Sequence, residues 1–266
     1  MVRVTATDRR TALRTGAGLL TGAALTAGCA PTGAVARSTP TPPPTDPGAP
    51  TTPATRTPAP APRPYSGAPA QITHGPRGRS RVALTFHGQG DPATARTLLT
   101  EAERRGARVT VLAVGAWLDD HPELARRILD GGHDLGNHTQ RHLAVNTMAE
   151  PAARAEITAC ADRLRRLTGS IGTWFRPSRA ARATPLVERL AREAGYPHVL
   201  SYDLDSLDYT DPGADAVTRT VLGQVRGGSV VSLHFGHPDT VAALPAVLDE
   251  LDRRGLRAVT TTELLS

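Results

Sequence analysis

The sequence predicts one α/β domain, built on a parallel sheet of seven strands that closes, fully or in part, into a barrel. Three observations lead to this fold class. From residue 81 onward, short apolar runs alternate with segments that have the 3.6-residue period of amphipathic helices. Nothing in that region marks a linker or a second domain. Ionisable side chains follow several of the apolar runs, as they do at the functional end of α/β barrels.

The predicted strands are short apolar runs, and helical patterns separate them along the chain. The strands are expected at residues 82–86, 109–114, 133–136, 173–176, 198–204, 229–235 and 256–260. The helices are expected at residues 92–105, 122–130, 151–167, 184–194, 214–226 and 241–253. Strands joined through helices pair in parallel, so we expect one parallel sheet with the helices outside it.

Polar residues at the predicted strand ends form the candidate site, because the carboxyl ends of parallel strands lie on one face of a barrel. The residues are His87 after the first strand, His138 and His142 after the third, Arg176 at the fourth, Asp205 and Asp208 at the fifth, and His234 at the sixth. His133 and Asp134 are expected to support the histidine pair without ligating a metal. His237 is expected in a loop near the mouth of the site.

Two of the nine histidines, His138 and His142, are four residues apart. On a helical turn this spacing points both imidazoles in the same direction. Two converging neutral imidazoles suit zinc and its neighbours. Spacing alone is equally compatible with two hydrogen-bonded surface histidines, so the pair is a candidate metal site that needs support from the rest of the chain.

The N-terminal 29 residues have the pattern of an export signal. Arg9 and Arg10 form a twin arginine, and a weakly apolar run from residue 16 to residue 27 follows them. The run ends in LTAGC, which resembles a bacterial lipobox with Cys29 as the residue that carries the lipid. Cleavage by an ordinary signal peptidase near Ala27 or Ala30 is the alternative.

Residues 30–75 are predicted to be a disordered linker, and residues 76–266 the folded domain. The linker is rich in Pro and Thr and lacks the apolar residues needed for a core. The positive charge of the chain also lies at this end. Residues 1–70 contain seven Arg and two acidic residues, whereas the remainder contains 24 Arg and 23 acidic residues. A balanced domain of this kind does not indicate a nucleic-acid-binding surface.

Five segments follow one another in an order that is typical of one enzyme family. They are residues 84–86 (LTF), 122–142 ending in GNHTQRH, 175–177 (FRP), 205–209 (DSLDY) and 228–234 (GSVVSLH). Through them, residues 80–265 resemble the NodB-like polysaccharide deacetylases, carbohydrate esterase family 4. The resemblance implies a distorted seven-stranded (β/α) barrel and a single domain of catalytic type. Tyr209 stands where the family has Trp.

The resemblance also implies a chemistry, the metal-dependent hydrolysis of acetyl groups on a glycan, chiefly N-deacetylation. It implies that His138 and His142 bind a divalent metal, which we take to be zinc, and that His234 is the acid with Asp208 as its partner. Arg176 would hold the base. The resemblance further implies that the Arg179 N–H donates a hydrogen bond to the oxyanion. It also implies that Leu233 and Tyr209 line the acetyl pocket.

The first motif departs from the family pattern. In the family this motif ends in two aspartates and a glycine, of which the first aspartate is the base and the second is a metal ligand. This chain has His87, Gly88 and Gln89 at the same places. Three alternatives follow. His87 becomes the third ligand of a three-histidine zinc site, Asp91 bends back as ligand or base, or the domain is a glycan binder without catalytic activity. We favour the first, with the metal at His87, His138 and His142.

The implied partner is a polysaccharide, with no nucleic acid and with membrane contact only through a lipid anchor at Cys29. An exported, monomeric protein at the outer face of the cytoplasmic membrane or in the cell wall is expected. An esterase that removes O-acetyl groups shares the same machinery and is not separable from an N-deacetylase by sequence.

Metabolic labelling with a fatty acid tests the anchor. We expect label on the wild-type protein and on Cys160→Ala, and none on Cys29→Ala, because the lipid is attached to the Cys29 thiol. A wild-type product that retains Cys29 but takes up no label would contradict the prediction.

Overall fold

The computed structural model describes residues 59–266, and the predicted signal, Cys29 and most of the predicted linker lie outside these residues. The strands are β1 (Gln71–Ile72), β2 (Arg81–Gly88), β3 (Thr110–Ala113), β4 (Asp134–Asn137), β5 (Val199–Leu200), β6 (Leu204–Asp205), β7 (Val230–His234) and β8 (Arg257–Ala258). The helices are α1 (Pro92–Arg104), α2 (Gly115–Asp120), α3 (Glu123–Asp130), α4 (Glu150–Thr168), α5 (Pro185–Glu193), α6 (Ala214–Gln224), α7 (Pro238–Arg253) and α8 (Thr261–Leu265). From residue 59 to the last residue, no helix combines the length and the apolar character needed to cross a membrane.

The strands form a parallel sheet that curves towards a ring. The order of its main path is β4-β3-β2-β7-β6, and β8 pairs with the start of β2. Beyond β4, the single residue Phe175 bridges Asn137 of β4 and Val199 of β5. The ring is interrupted between β5 and β6, at residues 201–203. The α/β class and the distorted parallel barrel are therefore confirmed.

Strand β2 lies at the centre of the sheet, and its side chains alternate between two layers. Residues 82–88 are all buried, as expected for a parallel strand covered on both faces. Leu84 and Phe86 belong to the large core between the sheet and the helices. Thr85 and His87 have the opposite parity and face the inside of the ring, since strand side chains alternate in direction. This alternation places His87 at the inner, carboxyl end of the barrel.

Two predicted strands differ from the structure. The run at residues 198–204 is two two-residue strands, β5 and β6, because the carbonyls of Leu200 and Ser201 accept hydrogen bonds from the Arg176 guanidinium in the gap between them. The run at residues 173–176 contributes only Phe175 to the ladder. Helices α2 and α8, of six and five residues, were not predicted because such short segments show too little periodicity.

The folded domain begins earlier than the predicted boundary at residue 76. Strand β1 pairs with β5 in parallel, and the Tyr65 ring stacks on Trp174 with the ring centroids 5.4 Å apart. His198 accepts a hydrogen bond from the Tyr65 N–H at 3.0 Å, and its other ring nitrogen lies 2.8 Å from the Pro69 carbonyl oxygen. The last part of the predicted linker is thus a strap across the barrel, which proline-rich composition did not reveal.

Asp134 lies at the amino end of β4, away from the strand ends that carry the histidine pair. Its side chain is 6% exposed, and Oδ2 accepts hydrogen bonds from the Trp174 indole at 3.2 Å and the Thr262 N–H at 2.9 Å. It therefore connects α8 to the barrel. Burial raises the pKa of the Asp134 carboxyl, although these hydrogen bonds oppose the shift.

The raised pKa predicts how stability depends on pH. The ionised carboxylate opposes folding above its folded pKa, and this penalty disappears as the pH falls through that value. Asp134→Asn is expected to have a higher free energy of unfolding than wild type at pH 7, with a gain that shrinks towards pH 4. Urea unfolding at pH 7 and pH 4 measures the free energy of unfolding of each protein. In the control, Asp252→Asn at an exposed position, this free energy is expected to change by less than about 0.5 kcal/mol. A gain that is independent of pH would contradict this account.

Candidate metal centre

A cavity of about 400 Å³ opens at the carboxyl ends of the strands. His87 from β2, His142 from the loop after β4, and His234 from β7 line it. The parallel register pairs His87 directly with His234, and their ring centroids are 4.3 Å apart. The structure therefore brings together the polar strand ends that the sequence singled out.

The segment that carries His138 and His142 is a tight loop and not the helical turn on which an i,i+4 spacing would align the two rings. His138 follows the last residue of β4 directly, and Thr139 and His142 have positive φ values of 67° and 56°. The Thr139 N–H donates to Oδ1 of Asn137 at 2.8 Å, and the Thr139 hydroxyl donates to Ser178 at 2.9 Å. Non-glycine residues in this region of φ are strained and cluster at functional sites. The strained loop, rather than the i,i+4 spacing, turns both imidazoles towards one point.

His87, His138 and His142 form a three-histidine cluster in which one ligand atom of each ring lies within 4.8 Å of the others. The Nε2 atoms of His138 and His142 are buried and have no hydrogen-bond partner among residues 59–266. His138 Nδ1 lies 3.0 Å from the Arg176 carbonyl oxygen, which orients the ring and leaves Nε2 as the free lone pair. Metal-ligating histidines are commonly held in this way by a backbone carbonyl.

The electrostatics keep these rings neutral near pH 7. Burial lowers the pKa of both His87 and His138, and neighbouring positive groups lower it further. The pKa of His142 falls to about 4, first through burial and then through Arg179 and His234. Only the neutral imidazole binds metal, so the cluster needs little or no deprotonation before an ion enters.

The donor set fits a divalent ion of the zinc type. Three imidazoles that leave one position open form a known catalytic zinc arrangement, and buried unpartnered nitrogens are otherwise costly. His87 is thus the third member of the cluster. Asp91 is instead the N-cap of α1, where its carboxylate accepts the Thr94 N–H at 2.8 Å, so the alternative in which Asp91 bends back is not observed.

Gly88 faces away from the cluster and has no room for a longer side chain. A Cβ atom added to Gly88 would lie 2.8 Å from Cγ1 of Val111 and 3.0 Å from the Ala113 Cα. Because β2 runs on through Gly88 and pairs there with β3, this position points into the packed layer. Packing would therefore leave no space for an aspartate at Gly88, the position where the family has its second motif carboxylate.

His234 and Asp208 form a hydrogen-bonded dyad beside the cluster. His234 Nδ1 lies 2.7 Å from Asp208 Oδ1, and the His234 N–H donates to Oδ2 at 2.8 Å. The Thr240 hydroxyl donates to the same Oδ2 at 2.6 Å. Burial opposes ionisation of Asp208, but these donors outweigh it and the pKa of the carboxyl lies below its usual value. The dyad fixes the His234 ring and leaves its Nε2 for the pocket.

Arg176 is fully buried beneath the pocket, and among the residues that the structure describes no carboxylate accepts a hydrogen bond from it, although Asp205 is near enough to raise its pKa. Its Nε and Nη2 donate to the carbonyls of Leu200 and Ser201 at 3.1 and 3.0 Å, while Nη1 has no partner within residues 59–266. Its guanidinium carbon lies 5.3 Å from the centre of the Tyr202 ring. Burial lowers the pKa of Arg176 to about 10, so the group remains charged at neutral pH. The structure therefore provides Arg176 with no side-chain base to hold.

The three residues predicted to contact substrate have different positions. Arg179 and Tyr209 line the pocket, and Tyr209 is 48% exposed with its ring centroid 5.4 Å from that of His234. Leu233, in contrast, packs in the core between sheet and helices, so its placement in the acetyl pocket is wrong. The reason is strand alternation, which turns Leu233 away from the face that carries His234.

Two features of the pocket were missed from the sequence, the place of Ser232 and the pairing of His237 with Asp211, whereas the position of His237 near the mouth of the site was expected. Ser232 lies on the inner face and its hydroxyl is 3.2 Å from His87 Nε2. Counting by two along β7 from His234 would have found it. His237 lines the pocket, and its Nδ1 lies 2.7 Å from Asp211 Oδ1, a second His–Asp pair displaced by three residues from His234 and Asp208. That repeated spacing was the available signal.

The chain is similar to several known proteins. Residues 74–199 match the family model described as polysaccharide deacetylase. A peptidoglycan-N-acetylglucosamine deacetylase of Bacillus cereus is 31% identical over 202 residues, which cover 71% of this chain and 90% of the relative. A chitooligosaccharide deacetylase of Bradyrhizobium is 28% identical over 201 residues, which cover 67% of this chain and 87% of the relative.

Two solved structures share the fold. A peptidoglycan N-acetylglucosamine deacetylase, crystallised with a small-molecule ligand, superposes with a TM-score of 0.69 at 26% identity and covers 73% of this chain and 92% of its own. A carbohydrate esterase family 4 pseudoenzyme from Bacillus anthracis superposes with a TM-score of 0.70 at 22% identity. The superposition covers 75% of this chain and 70% of the pseudoenzyme chain. At that identity, the second likeness shows the fold alone.

The three-histidine cluster predicts a direct metal-binding result. His87→Ala, His138→Ala and His142→Ala are each expected to weaken zinc binding at least about 100-fold, because even losing the partner behind a ligand commonly costs 10- to 100-fold. Competition with a chromophoric chelator measures the affinity. His237→Ala lines the same pocket but removes no member of the cluster, and should bind as wild type does. Wild-type affinity in His87→Ala would remove His87 from the ligand set.

Proposed function

The chain belongs to the polysaccharide deacetylase family, and on that premise we propose that it hydrolyses acetyl groups from an N-acetylated cell-wall glycan. The divalent metal of this reaction would be held by His87, His138 and His142. The relatives named as peptidoglycan-N-acetylglucosamine deacetylases support the choice of glycan. The product of the reaction is acetate, with a free amine on the sugar.

One observation carries the proposal. Two buried imidazole nitrogens, of His138 and His142, have no partners within residues 59–266 and belong to a cluster beside the cavity that His142 and His234 line. His234 is at the same time hydrogen-bonded to Asp208. A metal site alone is compatible with a structural ion, and a His–Asp dyad alone with a surface hydrogen bond. In this chain the two occur together, since the ring centroids of His87, a member of the cluster, and His234 are 4.3 Å apart. A metal ion and an adjacent proton-transferring group are the two elements that metal-assisted hydrolysis requires.

The dyad supplies proton transfer. A divalent ion at the three histidines would provide Lewis acidity, polarising the acetyl carbonyl and making a water molecule more acidic. His234 Nε2 then takes a proton from the attacking water and gives it to the leaving nitrogen as the carbon–nitrogen bond breaks. Asp208 holds the tautomer and stabilises the positive charge that the ring acquires in between. In this chain one imidazole serves as both base and acid, because no carboxylate occupies the base position.

Arg179 and Tyr209 would position the substrate. Arg179 has a positive φ of 54°, and within residues 59–266 its N–H donates no hydrogen bond. A free backbone N–H at the pocket wall is suited to bind the oxyanion of the tetrahedral intermediate. Tyr209, half exposed at the mouth, offers an apolar face to a sugar ring. Leu233 has no part in this arrangement, and Ser232 takes its place on the inner wall.

The second candidate function is glycan binding without catalysis. Two observations favour it. His87 and Gly88 replace both carboxylates of the first motif, and the remaining pocket carboxylate, Asp205, already accepts hydrogen bonds from the Leu207 N–H and the Tyr202 hydroxyl. The hydrolysis of O-acetyl esters is a variant of the leading proposal, since the same groups serve a leaving alkoxide.

The proposed function implies a location and a partner. Hydrolysis of a cell-wall glycan requires export, which supports the signal proposed for residues 1–29 and a lipid anchor at Cys29 on the outer face of the cytoplasmic membrane. The partner would be a polysaccharide, and we propose that the chain acts as a monomer.

Acetate release from N-acetylglucosamine oligomers and from peptidoglycan tests the proposal. Zinc-loaded wild type should release acetate, and His234→Ala should be slower by about 10²- to 10⁴-fold, the usual contribution of a positioned acid–base group. His74→Ala, an exposed histidine outside the pocket, is the matched control. An O-acetylated glycan assayed in parallel separates esterase from amidase activity.

Two results would contradict the leading proposal. Equal rates in wild type and His234→Ala would remove the dyad from the reaction. A zinc-loaded wild type that binds the oligomers but releases no acetate from either type of glycan would establish the binding function instead.

A further inference from the structure

Glu156 is a charged residue on the core-facing side of α4. The buried apolar residues of that side include Ala153, Ile157, Cys160 and Leu164, and Glu156 lies among them with 2% of its surface exposed. An apolar residue at this spacing would continue the stripe that packs into the core. Burying an ionised group is costly unless it is paired and hydrogen-bonded, so the position of Glu156 depends on what its oxygens bind.

The oxygens of Glu156 bind the loop between His138 and His142. Oε2 accepts a hydrogen bond from the Arg141 N–H at 2.8 Å, and Oε1 accepts one from Arg141 Nε at 2.6 Å. The backbone carbonyl of Glu156 accepts the Gln140 N–H at 2.9 Å. Because the Arg141 side chain is 63% exposed, water screens its ion pair. The hydrogen bond to the backbone amide is therefore the stronger hold of the Glu156 side chain on the loop.

Helix α2 holds the same loop through backbone groups. The Gly115 and Ala116 N–H groups, at the start of α2, donate to the carbonyls of Thr139 and Gln140 at 2.9 and 2.7 Å. The next amide along the chain is the one that the Glu156 side chain binds. The loop thus has an anchor at each step up to the residue before its second histidine.

His142 needs these anchors because its backbone is strained. Its φ value is 56°, in the left-handed region where a non-glycine residue stays only when its surroundings hold it there. On the N-terminal side the Arg141 N–H is bound by Glu156, and on the C-terminal side the Leu143 carbonyl accepts a hydrogen bond from the Ser178 hydroxyl. Without the first anchor, the peptide group before His142 is free to rotate and to carry the imidazole with it.

We propose that Glu156 is a positioning residue of the metal centre. By binding the Arg141 N–H, it holds His142 in the conformation in which its ring joins those of His87 and His138 in one cluster. This role rests on the metal site of the proposed function, and it involves no contact of Glu156 with metal or substrate. Ligands that the surrounding structure holds in place bind a metal more tightly than ligands that must first be ordered.

Zinc affinity, measured by competition with a chromophoric chelator, tests the proposal without any turnover. Glu156→Ala is expected to weaken zinc binding at least about tenfold, as when a group that supports a metal ligand is lost. Arg141→Ala removes the exposed guanidinium but keeps the backbone N–H, so its affinity should stay within about threefold of wild type.

Glu156→Gln preserves the volume of the side chain, and it serves the same test if Glu156→Ala fails to fold. The new amide has one acceptor oxygen for the Arg141 N–H, but its NH2 group then faces the Arg141 guanidinium, donor against donor. Glu156→Gln alone should therefore bind zinc more weakly than wild type. In the double variant Glu156→Gln/Arg141→Ala the opposing donor is absent, and the affinity should return to within about threefold of wild type.

Val187→Ala separates positioning from general stability. Val187 is fully buried in the core that α4 and α5 share, so this variant should have a lower melting temperature and yet bind zinc as wild type does. Amide hydrogen exchange of the metal-free proteins is a second measurement. The Arg141 amide should lose protection in Glu156→Ala, whereas the amide of Val111 in β3 should keep it, because only the loop opens.

The outcomes distinguish this role from the proposed function. Wild-type zinc affinity in Glu156→Ala, or an equal loss in Arg141→Ala or Val187→Ala, would overturn the proposal. An Arg141 amide that stays protected in Glu156→Ala would contradict the hold of Glu156 on the loop, whether or not wild type binds zinc. A wild type that binds no zinc, with an Arg141 amide that does lose protection in Glu156→Ala, would contradict the metal-dependent function and still support that hold.

Discussion

The parallel pairing of β2 with its neighbours is the constraint on which the site depends. Pairing with β7 sets His87 opposite His234, and pairing with β3, which in turn pairs with β4, brings the loop after Asn137 to the same end of the barrel. A shift of one residue in β2 would send His87 into the helix-facing core and bring Phe86 or Gly88 to the pocket, because strand side chains alternate. Metal ligation, proton transfer and substrate contact all follow from this register.

Most of the fold and much of the site could be predicted from the sequence, because the signals are local. Buried parallel strands appear as apolar runs, and the polar residue that ends such a run identifies the functional face, which is how His87, Asp208 and His234 were found. The failures arise where tertiary contacts decide. The turn at Thr139 and His142 has positive φ values held by Asn137, and no spacing rule predicts it. The break between β5 and β6 depends on a guanidinium 24 residues away in sequence from Leu200.

The position of Leu233 was missed for a different reason. The resemblance assigned it by motif, while the alternation of β7 turns Ser232 to the pocket and Leu233 to the core. The strap at residues 59–72 was missed because a Pro/Thr-rich composition conceals single anchoring contacts such as Tyr65 on Trp174. The composition of a segment predicts whether it can form a core of its own. It does not predict whether the segment packs against the core of a neighbouring domain.

The site combines several features that the protein's own side chains leave unfavourable. Two buried imidazole nitrogens and one nitrogen of the buried Arg176 guanidinium have no hydrogen-bond partner within residues 59–266, and strained residues hold the loop. Such departures from local consistency are expected where ligands complete the structure. A cation at the three histidines would satisfy the two unpaired imidazole nitrogens.

Anomalous diffraction at the zinc edge, from crystals grown with zinc, tests the central claim most directly. We predict one strong peak in the cavity, at about 2.0–2.1 Å from a ring nitrogen of each of His87, His138 and His142. A peak bound only by His138 and His142, with the His87 ring turned away, or no peak at this cluster, would contradict the three-histidine metal site.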